Sequence, residues 1–291
     1  MQNINKGLIA AVPTGPKSIN YANADERPVQ PPVRLKQIAL PTEHGGWGLL
    51  LEPIVVGLSV SFSTGGLWIA LMTIGAFLTR QPLKTLLIDR LGMRVARRAK
   101  VALVFVVGFG LLFAFGLAAA VAKAGLVPLT PFLAVLPLAA VQIYFDCSRK
   151  SRNLLAELGG AIAISASVAA ITLAGGFSFP HAVGLWAILV ARLVPSILYV
   201  RERLLEEKGK PFSRSFPLAA HLAALGLAIL LAYYGLVPVL AVVAMTMLLA
   251  RSVEGLSSAR RKMKAMKIGV LEVAYGMFTV LFIIAGHYAD L

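Results

Sequence analysis

The sequence is poor in charge, in acidic residues and in cysteine. Only 14% of its 291 residues are charged, whereas soluble domains carry about 25%, and 58% are hydrophobic. The mean hydropathy is +0.80. Asp and Glu number 13 against 28 Lys and Arg, which gives a formal net charge of +15. A single cysteine, Cys147, excludes an intrachain disulfide. This composition is typical of a membrane protein.

Common motifs of catalysis and cofactor binding are also absent from the sequence. It has no Walker-type glycine-rich loop, no His-x-x-x-His or Cys-x-x-Cys metal pair and no Gly-x-Ser-x-Gly nucleophile elbow. The four histidines are widely separated, and His44 and His221 are more simply interpreted as lone interfacial residues than as ligands or bases. No metal site is predicted.

The cations that are present cluster between long apolar segments. Five lie in the first 36 residues, seven between 80 and 100, three between 149 and 152, five between 201 and 214, and six between 251 and 267. Loops rich in Lys and Arg stay on the cytoplasmic side of a bilayer. The alternation therefore predicts a multi-pass inner-membrane protein with a cytoplasmic N-terminus and an external C-terminus. It also accounts for the net charge without nucleic acid.

We predict an all-α fold, in which residues 39–291 form a polytopic bundle of about nine transmembrane helices. A disordered basic cytoplasmic tail of residues 1–38 precedes it. The apolar segments lie near 45–63, 66–79, 101–122, 131–145, 154–176, 181–200, 217–234, 237–250 and 268–286.

Three of these segments are short for a bilayer. Those near 66–79, 131–145 and 237–250 supply fewer than the roughly 17–25 apolar residues that a crossing requires. Helices that end early favour a hydrated cavity open to the cytoplasm, and tilting or local bilayer thinning explains them equally well.

Ionisable residues inside the spans indicate a site, because charge is costly at membrane depth. Glu52 lies in the first span and Glu272 in the ninth. The sixth span places four polar residues on one helical face: Arg192, Ser196, Tyr199 and Arg203. The Arg192 guanidinium has two interpretations, a structural ion pair with Glu52 or Glu272, or a site for an anion.

Other polar residues lie at the predicted cytoplasmic ends of the spans, and together they define a basic cavity. The residues predicted to bind an anionic ligand are Arg80, Lys84, Arg149, Lys150, Arg192, Tyr199 and Arg203. The candidates for catalytic proton or metal chemistry are Glu52, Asp89 and Glu272.

Three stretches resemble the YwiC-like family of bacterial integral membrane proteins. They are the Pro-x-Glu-His-Gly-x-Trp sequence at 41–47, Arg-Gln-Pro-Leu-Lys at 80–84 and Tyr-Val-Arg-Glu-Arg-Leu at 199–204. The resemblance runs from about residue 40 to the end of the chain. It implies a bacterial membrane protein and carries no biochemical activity with it.

More distantly, the layout is similar to the UbiA-type intramembrane prenyltransferases, which have nine helices and a cytoplasm-facing site. Residues 144–153 are similar to their Tyr-x-x-x-Lys-Arg step, with Arg149 and Lys150 as the basic pair. This resemblance implies a UbiA-like helix arrangement and an isoprenoid diphosphate as ligand. The Asp-rich Mg²⁺ motifs of those enzymes are missing here, since the second span ends with Asp89 alone among cations.

Three functions therefore stay open. The first is binding or transfer of an isoprenoid diphosphate or another anionic lipid, by a degenerate prenyltransferase relative. The second is transport of a small anionic solute, and the third is a non-catalytic membrane partner protein. The predicted partner is membrane lipid and not nucleic acid. The sequence leaves the cofactor undetermined, with Mg²⁺ as an option, and it leaves the oligomeric state open.

Overall fold

The computed structural model describes residues 35–41, 44–91, 96–150 and 153–290. These residues form ten α-helices, one 3₁₀ turn at Val127–Leu129 and no strand. The helices are α1 (Leu35–Ala39), α2 (His44–Val60), α3 (Thr64–Leu91), α4 (Ala96–Ala124), α5 (Thr130–Cys147), α6 (Leu154–Ala174), α7 (Phe179–Glu207), α8 (Ser215–Tyr233), α9 (Leu240–Gly255) and α10 (Ala265–Tyr288). The predicted all-α class is confirmed for this part of the chain.

Each predicted apolar segment corresponds to one helix from α2 to α10. Six helices in the described ranges are long and apolar enough to cross a membrane: α4, α5, α6, α7, α8 and α10. A shorter apolar helix covers Gly45–Val60. The chain is thus a multi-pass membrane protein, and the full count of nine spans stays a prediction. Residues 1–34 of the predicted tail lie outside the described residues, and residues 35–39, at its predicted end, form α1.

Helix α3 is much longer than its apolar part. Its 28 residues extend about 42 Å at 1.5 Å per residue, and the helix continues past Phe77 through Arg80, Lys84 and Asp89. The short apolar segment near 66–79 is thus continued by helical polar residues. The cations of α3 are therefore held on a rigid helix and not in a loop.

Helices α3 and α4 form a close pair through two glycines. A Cβ on Gly75 would lie 2.6 Å from the backbone nitrogen of Phe113, and one on Gly116 would lie 2.6 Å from that of Met72. Only glycine allows the two backbones to approach so closely, as is common between membrane helices.

Helices α6 and α7 lie at the centre of the bundle. In the most apolar 18-residue stretch of each of these two helices, 61% is buried, against 11% in α4 and 17% in α5. Helix α6 packs against α2, α3, α5 and α7. Helices α4 and α5 therefore present much of their surface to the surroundings, whereas α7 carries its polar residues into the interior.

Short connections make successive helices run up and down, so their ends lie at two opposite ends of the bundle. The C-terminal ends of α3, α5, α7 and α9 lie with the N-terminal ends of α4, α6, α8 and α10. Ion pairs join these elements, for example Arg80 of α3 with Asp146 of α5, and Arg201 of α7 with Glu157 of α6. We call this the charged end.

Candidate functional site: a cavity at the charged end

A cavity of about 440 Å³ lies among α2, α3, α5, α6, α7 and α10. We call it the charged-end cavity. Five of the ten predicted site residues line it: Glu52, Arg80, Lys84, Arg192 and Glu272. Its lining also includes Gln142, Glu157, Ser196 and Arg201. Among the described lining residues, four cations stand against three carboxylates, so the positive excess is smaller than the sequence predicts.

The deepest pair in this cavity joins α2 to α7. Arg192 Nη2 lies 3.0 Å from Glu52 Oε1, and the two side chains are only 5% and 8% exposed. The same nitrogen donates a hydrogen bond to the backbone oxygen of Glu272 at 3.1 Å. Of the two interpretations of Arg192, the ion pair with Glu52 is therefore present in the structure.

This pair lies directly against the backbone of α10. A Cβ on Gly276 would overlap both Glu52 Oε1 and Arg192 Nη2, so glycine is needed at this position. Glu52 Oε2 and Arg192 Nε are buried and make no hydrogen bond within the described residues. Buried charged groups are normally fully hydrogen-bonded, so the pair retains capacity for another partner.

A second buried pair, Arg251 with Glu272, joins α9 to α10. Arg251 Nη1 donates to Glu272 Oε1, and Arg251 Nη2 lies 3.4 Å from both Ser196 Oγ and His221 Nε2. Sequence reasoning missed Arg251 because it was grouped with the basic loop that follows it. A signal was available, since the next cation, Arg260, comes nine positions later and an apolar segment precedes Arg251.

Tyr199 supports this second pair from outside the cavity. The guanidinium of Arg251 lies over the Tyr199 ring at 4.3 Å and over the Tyr275 ring at 5.0 Å. A Cβ on Gly255 would overlap the Tyr199 hydroxyl, so this glycine makes room for the ring. Tyr199 is buried and does not line the charged-end cavity. Its contact is a cation–π interaction with an internal arginine.

Arg80 and Lys84 share one carboxylate on α5. Arg80 holds Asp146 with two bonds, from Nε at 2.8 Å and from Nη2 at 3.1 Å, and Lys84 Nζ lies 3.9 Å from Asp146 Oδ1. The side-chain oxygen of Gln142 accepts from Arg80 at 3.2 Å when the amide is oriented to suit its neighbours. A Cβ on Gly160 of α6 would overlap the Gln142 side chain. The two cations thus lie against the same acid, one turn apart on α3.

Arg201 and Glu157 form the most accessible pair in the cavity. Arg201 Nη1 lies 2.8 Å from Glu157 Oε2, and the side chains are 37% and 33% exposed. The Glu157 helix is capped locally, because the Asn153 side chain accepts from the backbone nitrogen of Leu155 at 2.9 Å.

The structure does not bring Arg203 to the cavity. Its side chain is fully buried, and it donates to the backbone oxygens of Gly255 and Arg261, each at 2.6 Å. Glu207 and Glu206 lie 2.9 and 3.4 Å from the guanidinium. Arg203 thus ties the end of α7 to the end of α9 and to the loop that follows.

Asp89, Arg149 and Lys150 also lie away from the cavity lining. Asp89 is buried and lies 3.3 Å from Arg98 Nε. Arg149 and Lys150 are exposed in the turn after α5, where Arg149 has a left-handed backbone with φ 57°. In the parts of the chain that the structure describes, no three potential metal-ligating residues group together.

Residues 40–172 match the family model described as YwiC-like protein. Over these residues the chain is similar to that family. This confirms the predicted resemblance for α2 to α6, with Glu52, Arg80, Lys84 and Glu157, whereas the 199–204 stretch lies beyond the match. No curated protein and no solved structure matches the chain. The similarity to UbiA-type enzymes stays a prediction.

Proposed function

We propose that the charged-end cavity binds the anionic head group of a membrane amphiphile such as an isoprenoid diphosphate. The observation that carries this proposal is that four cations line one cavity inside the bundle: Arg80 and Lys84 from α3, Arg192 and Arg201 from α7. Guanidinium groups bind phosphate oxygens with two parallel hydrogen bonds, and lysine adds a point charge. The volume of about 440 Å³ lies within the usual range for ligand pockets.

In this proposal α2 to α10 cross the inner membrane, and the charged end faces the cytoplasm. The support is the concentration of Lys and Arg in the loops at that end. A head group would then enter from the cytoplasmic surface, where the more exposed Arg201–Glu157 pair lies. The C-terminus lies outside the cell.

A bound anion has to compete with the acids that already hold these cations. Arg192 is paired with Glu52, Arg201 with Glu157, and Arg80 with Asp146. The junction of Arg80 and Lys84 is the most favourable place for a phosphate, because a guanidinium and an ammonium lie there on successive turns of α3 and both line the cavity. Arg192 lies deeper and would contact the anion only after Arg80 and Lys84. Its present partner Glu52 would then be the nearest group to accept a proton.

The test is binding of farnesyl diphosphate to the purified full-length protein in lipid nanodiscs. The variant carries Arg80→Gln with Asp146→Asn, which removes the cation and its partner acid together and leaves the net charge unchanged. We expect an affinity loss of about tenfold or more, because charge-assisted hydrogen bonds are worth about 1.5–3 kcal/mol.

The matched control carries Arg98→Gln with Asp89→Asn, the same chemical change at an ion pair outside the cavity lining. It should bind farnesyl diphosphate as the unchanged protein does. Absence of binding by the unchanged protein, or equal binding by both double variants, would overturn the proposal.

Transport of a small anion is the second candidate, and one observation favours it. A further cavity of about 640 Å³ lies at the opposite end of the bundle, lined in part by His181 and His287. The apolar side chains of Ile188 and Leu189 lie on α7 between the two cavities and are buried. Uptake of radiolabelled phosphate into proteoliposomes, above that of protein-free liposomes, would favour transport over lipid binding.

A further inference from the structure

A second cavity of about 540 Å³ lies between the α3–α4 pair and the α5–α6 pair. We call it the apolar slot. It follows α3 from Met72 to Leu87, which is about 22 Å at 1.5 Å per residue. Along α5 it extends from Phe132 to Cys147. Its length thus covers much of the depth of the bundle.

The half of the slot away from the charged end, from Met72 to Thr79 on α3, offers no unsatisfied polar side chain among the described lining residues. Two threonines of α3 line it, and both hydroxyls donate to their own helix: Thr73 to Ile69 O at 2.8 Å and Thr79 to Gly75 O at 2.7 Å. The charged and amide side chains lie in the other half of the slot, at Arg80, Lys84, Gln142 and Asp146. An apolar cavity of this kind does not hold water well, so its natural occupant is hydrocarbon.

The slot and the charged-end cavity share one wall. Five residues line both: Phe77, Arg80, Lys84, Gln142 and Ile164. The cations that we assign to a head group therefore lie where the apolar half of the slot begins. An amphiphile needs this arrangement, with a charged group on one side of the junction and an apolar volume on the other.

The slot is also accessible from the outer surface of the bundle. Leu133 and Leu136 of α5 line it and are 65% and 57% exposed. Helix α5 is one of the least buried membrane-spanning helices in the described residues. In a bilayer these exposed leucines face lipid chains, so a hydrocarbon tail can enter the slot from the side without crossing water.

We propose that the apolar slot holds the hydrocarbon tail of the same amphiphile whose anionic head lies in the charged-end cavity. This inference rests on the proposed function and narrows it, since it selects a phosphate-bearing lipid over a small anionic solute. The tail runs from the junction at Arg80 toward Met72, a distance of about 12 Å along α3.

The experiment compares three probes that share the diphosphate head: inorganic diphosphate, isopentenyl diphosphate and farnesyl diphosphate. Affinity of the unchanged protein in nanodiscs should rise with tail length. Ala139 of α5 lines the slot, so Ala139→Trp should fill it and lower the farnesyl diphosphate affinity at least tenfold while leaving inorganic diphosphate binding unchanged.

Ala140→Trp is the matched control, because Ala140 is the next residue of the same helix, is exposed and does not line the slot. It should bind all three probes as the unchanged protein does. If inorganic diphosphate binds and tail length has no effect, the tail inference fails and the head-group proposal stands. If no probe binds, the head-group proposal itself fails.

A labelling measurement covers the case in which Ala139→Trp does not fold. A farnesyl diphosphate analogue with a photoreactive diazirine in its tail is irradiated with the unchanged protein, and the labelled peptides are identified by mass spectrometry. Labels within residues 72–87 of α3 and 132–147 of α5 support the slot. Labels confined to other helices overturn it.

Discussion

Arg192 and Arg203 lie on the same face of α7, eleven residues apart, and the protein uses them differently. Both side chains are buried. Arg192 lines a cavity and makes one ion pair and one backbone contact. Arg203 lies outside the cavity, and both of its terminal nitrogens bind backbone oxygens at 2.6 Å.

The comparison shows that a buried cation in a membrane helix is not by itself a ligand site. Fixed backbone carbonyls from α9 and the loop after it hold both terminal nitrogens of Arg203, so an incoming anion would have to displace folded main chain. Arg192 contacts a carboxylate at the wall of a cavity, where rearrangement of a side chain is enough. The two arginines therefore differ in the group that holds them, a side-chain carboxylate at a cavity wall or fixed main chain, and not in how deeply they are buried.

The largest expected effect is on stability, from Arg203→Gln. Removing one partner of a buried ion-pair network costs about 3–5 kcal/mol, because Glu207 loses the cation at 2.9 Å and the backbone oxygens of Gly255 and Arg261 lose their donors. Chemical unfolding in detergent micelles, followed by tryptophan fluorescence, measures this. Arg203→Lys should also destabilise, because an ammonium cannot reproduce the planar fork. Unchanged stability with a specific loss of farnesyl diphosphate binding would reverse the assignments of the two arginines.

A smaller effect is expected when Glu52 and Arg192 are both replaced by glutamine. No charge is left unpaired, so the stability cost should stay near 1–3 kcal/mol, about that of the lost charge-assisted hydrogen bond. The affinity for farnesyl diphosphate should nevertheless fall at least tenfold, as titration of the purified variant would show. A stability loss equal to that of Arg203→Gln, without a change in affinity, would make Arg192 structural as well.

Gly276→Ala tests the contact of the Arg192 pair with α10. The added Cβ overlaps Glu52 Oε1 and Arg192 Nη2, and the overpacking exceeds the helix-propensity gain of alanine by about 1 kcal/mol. Gly269→Ala on the same helix is the control, since its Cβ meets nothing within 4 Å. Thermal unfolding should show a loss for the first variant and no loss for the second. Equal behaviour would indicate that α10 moves away from the pair readily.

The smallest stability effect is expected from Arg201→Gln. Its pair with Glu157 is partly exposed, and such pairs contribute about 0–1 kcal/mol. Chemical unfolding in micelles should therefore give nearly unchanged stability. Because Arg201 lines the cavity, the affinity for farnesyl diphosphate should still fall by several-fold. A variant that binds as tightly as the unchanged protein would restrict the site to the other three cations.

The sequence predicts the shared polar face of α7, but it does not predict the different partners of Arg192 and Arg203. The spacing of Arg192, Ser196, Tyr199 and Arg203 correctly predicts one polar face, and all four side chains are buried. Spacing along the helix could not distinguish the cavity-lining Arg192 from the structural Arg203. The carbonyl oxygens that hold Arg203 come from Gly255 and Arg261, more than fifty residues later. Asp89 shows the same limit, since its partner Arg98 lies on the following helix.

Gln142 was missed for a related reason. An amide near the end of an apolar segment carries no charge signal, and its role depends on Arg80 of α3 and on the space at Gly160 of α6. The apolar slot is equally invisible in the sequence. Its lining comes from four helices and the 3₁₀ turn, and most of it consists of ordinary apolar residues such as leucine, alanine and phenylalanine.

Local chemistry by itself determined the helices, the membrane setting and the residues that cannot face lipid, because hydrophobic run length and charge spacing are properties of neighbouring residues. Only the tertiary structure decided which cation lines a cavity, which one is held by main chain, and where an apolar slot meets a charged pocket. Those outcomes depend on groups far apart in the chain, and their electrostatic and packing energies arise only when the helices are brought together.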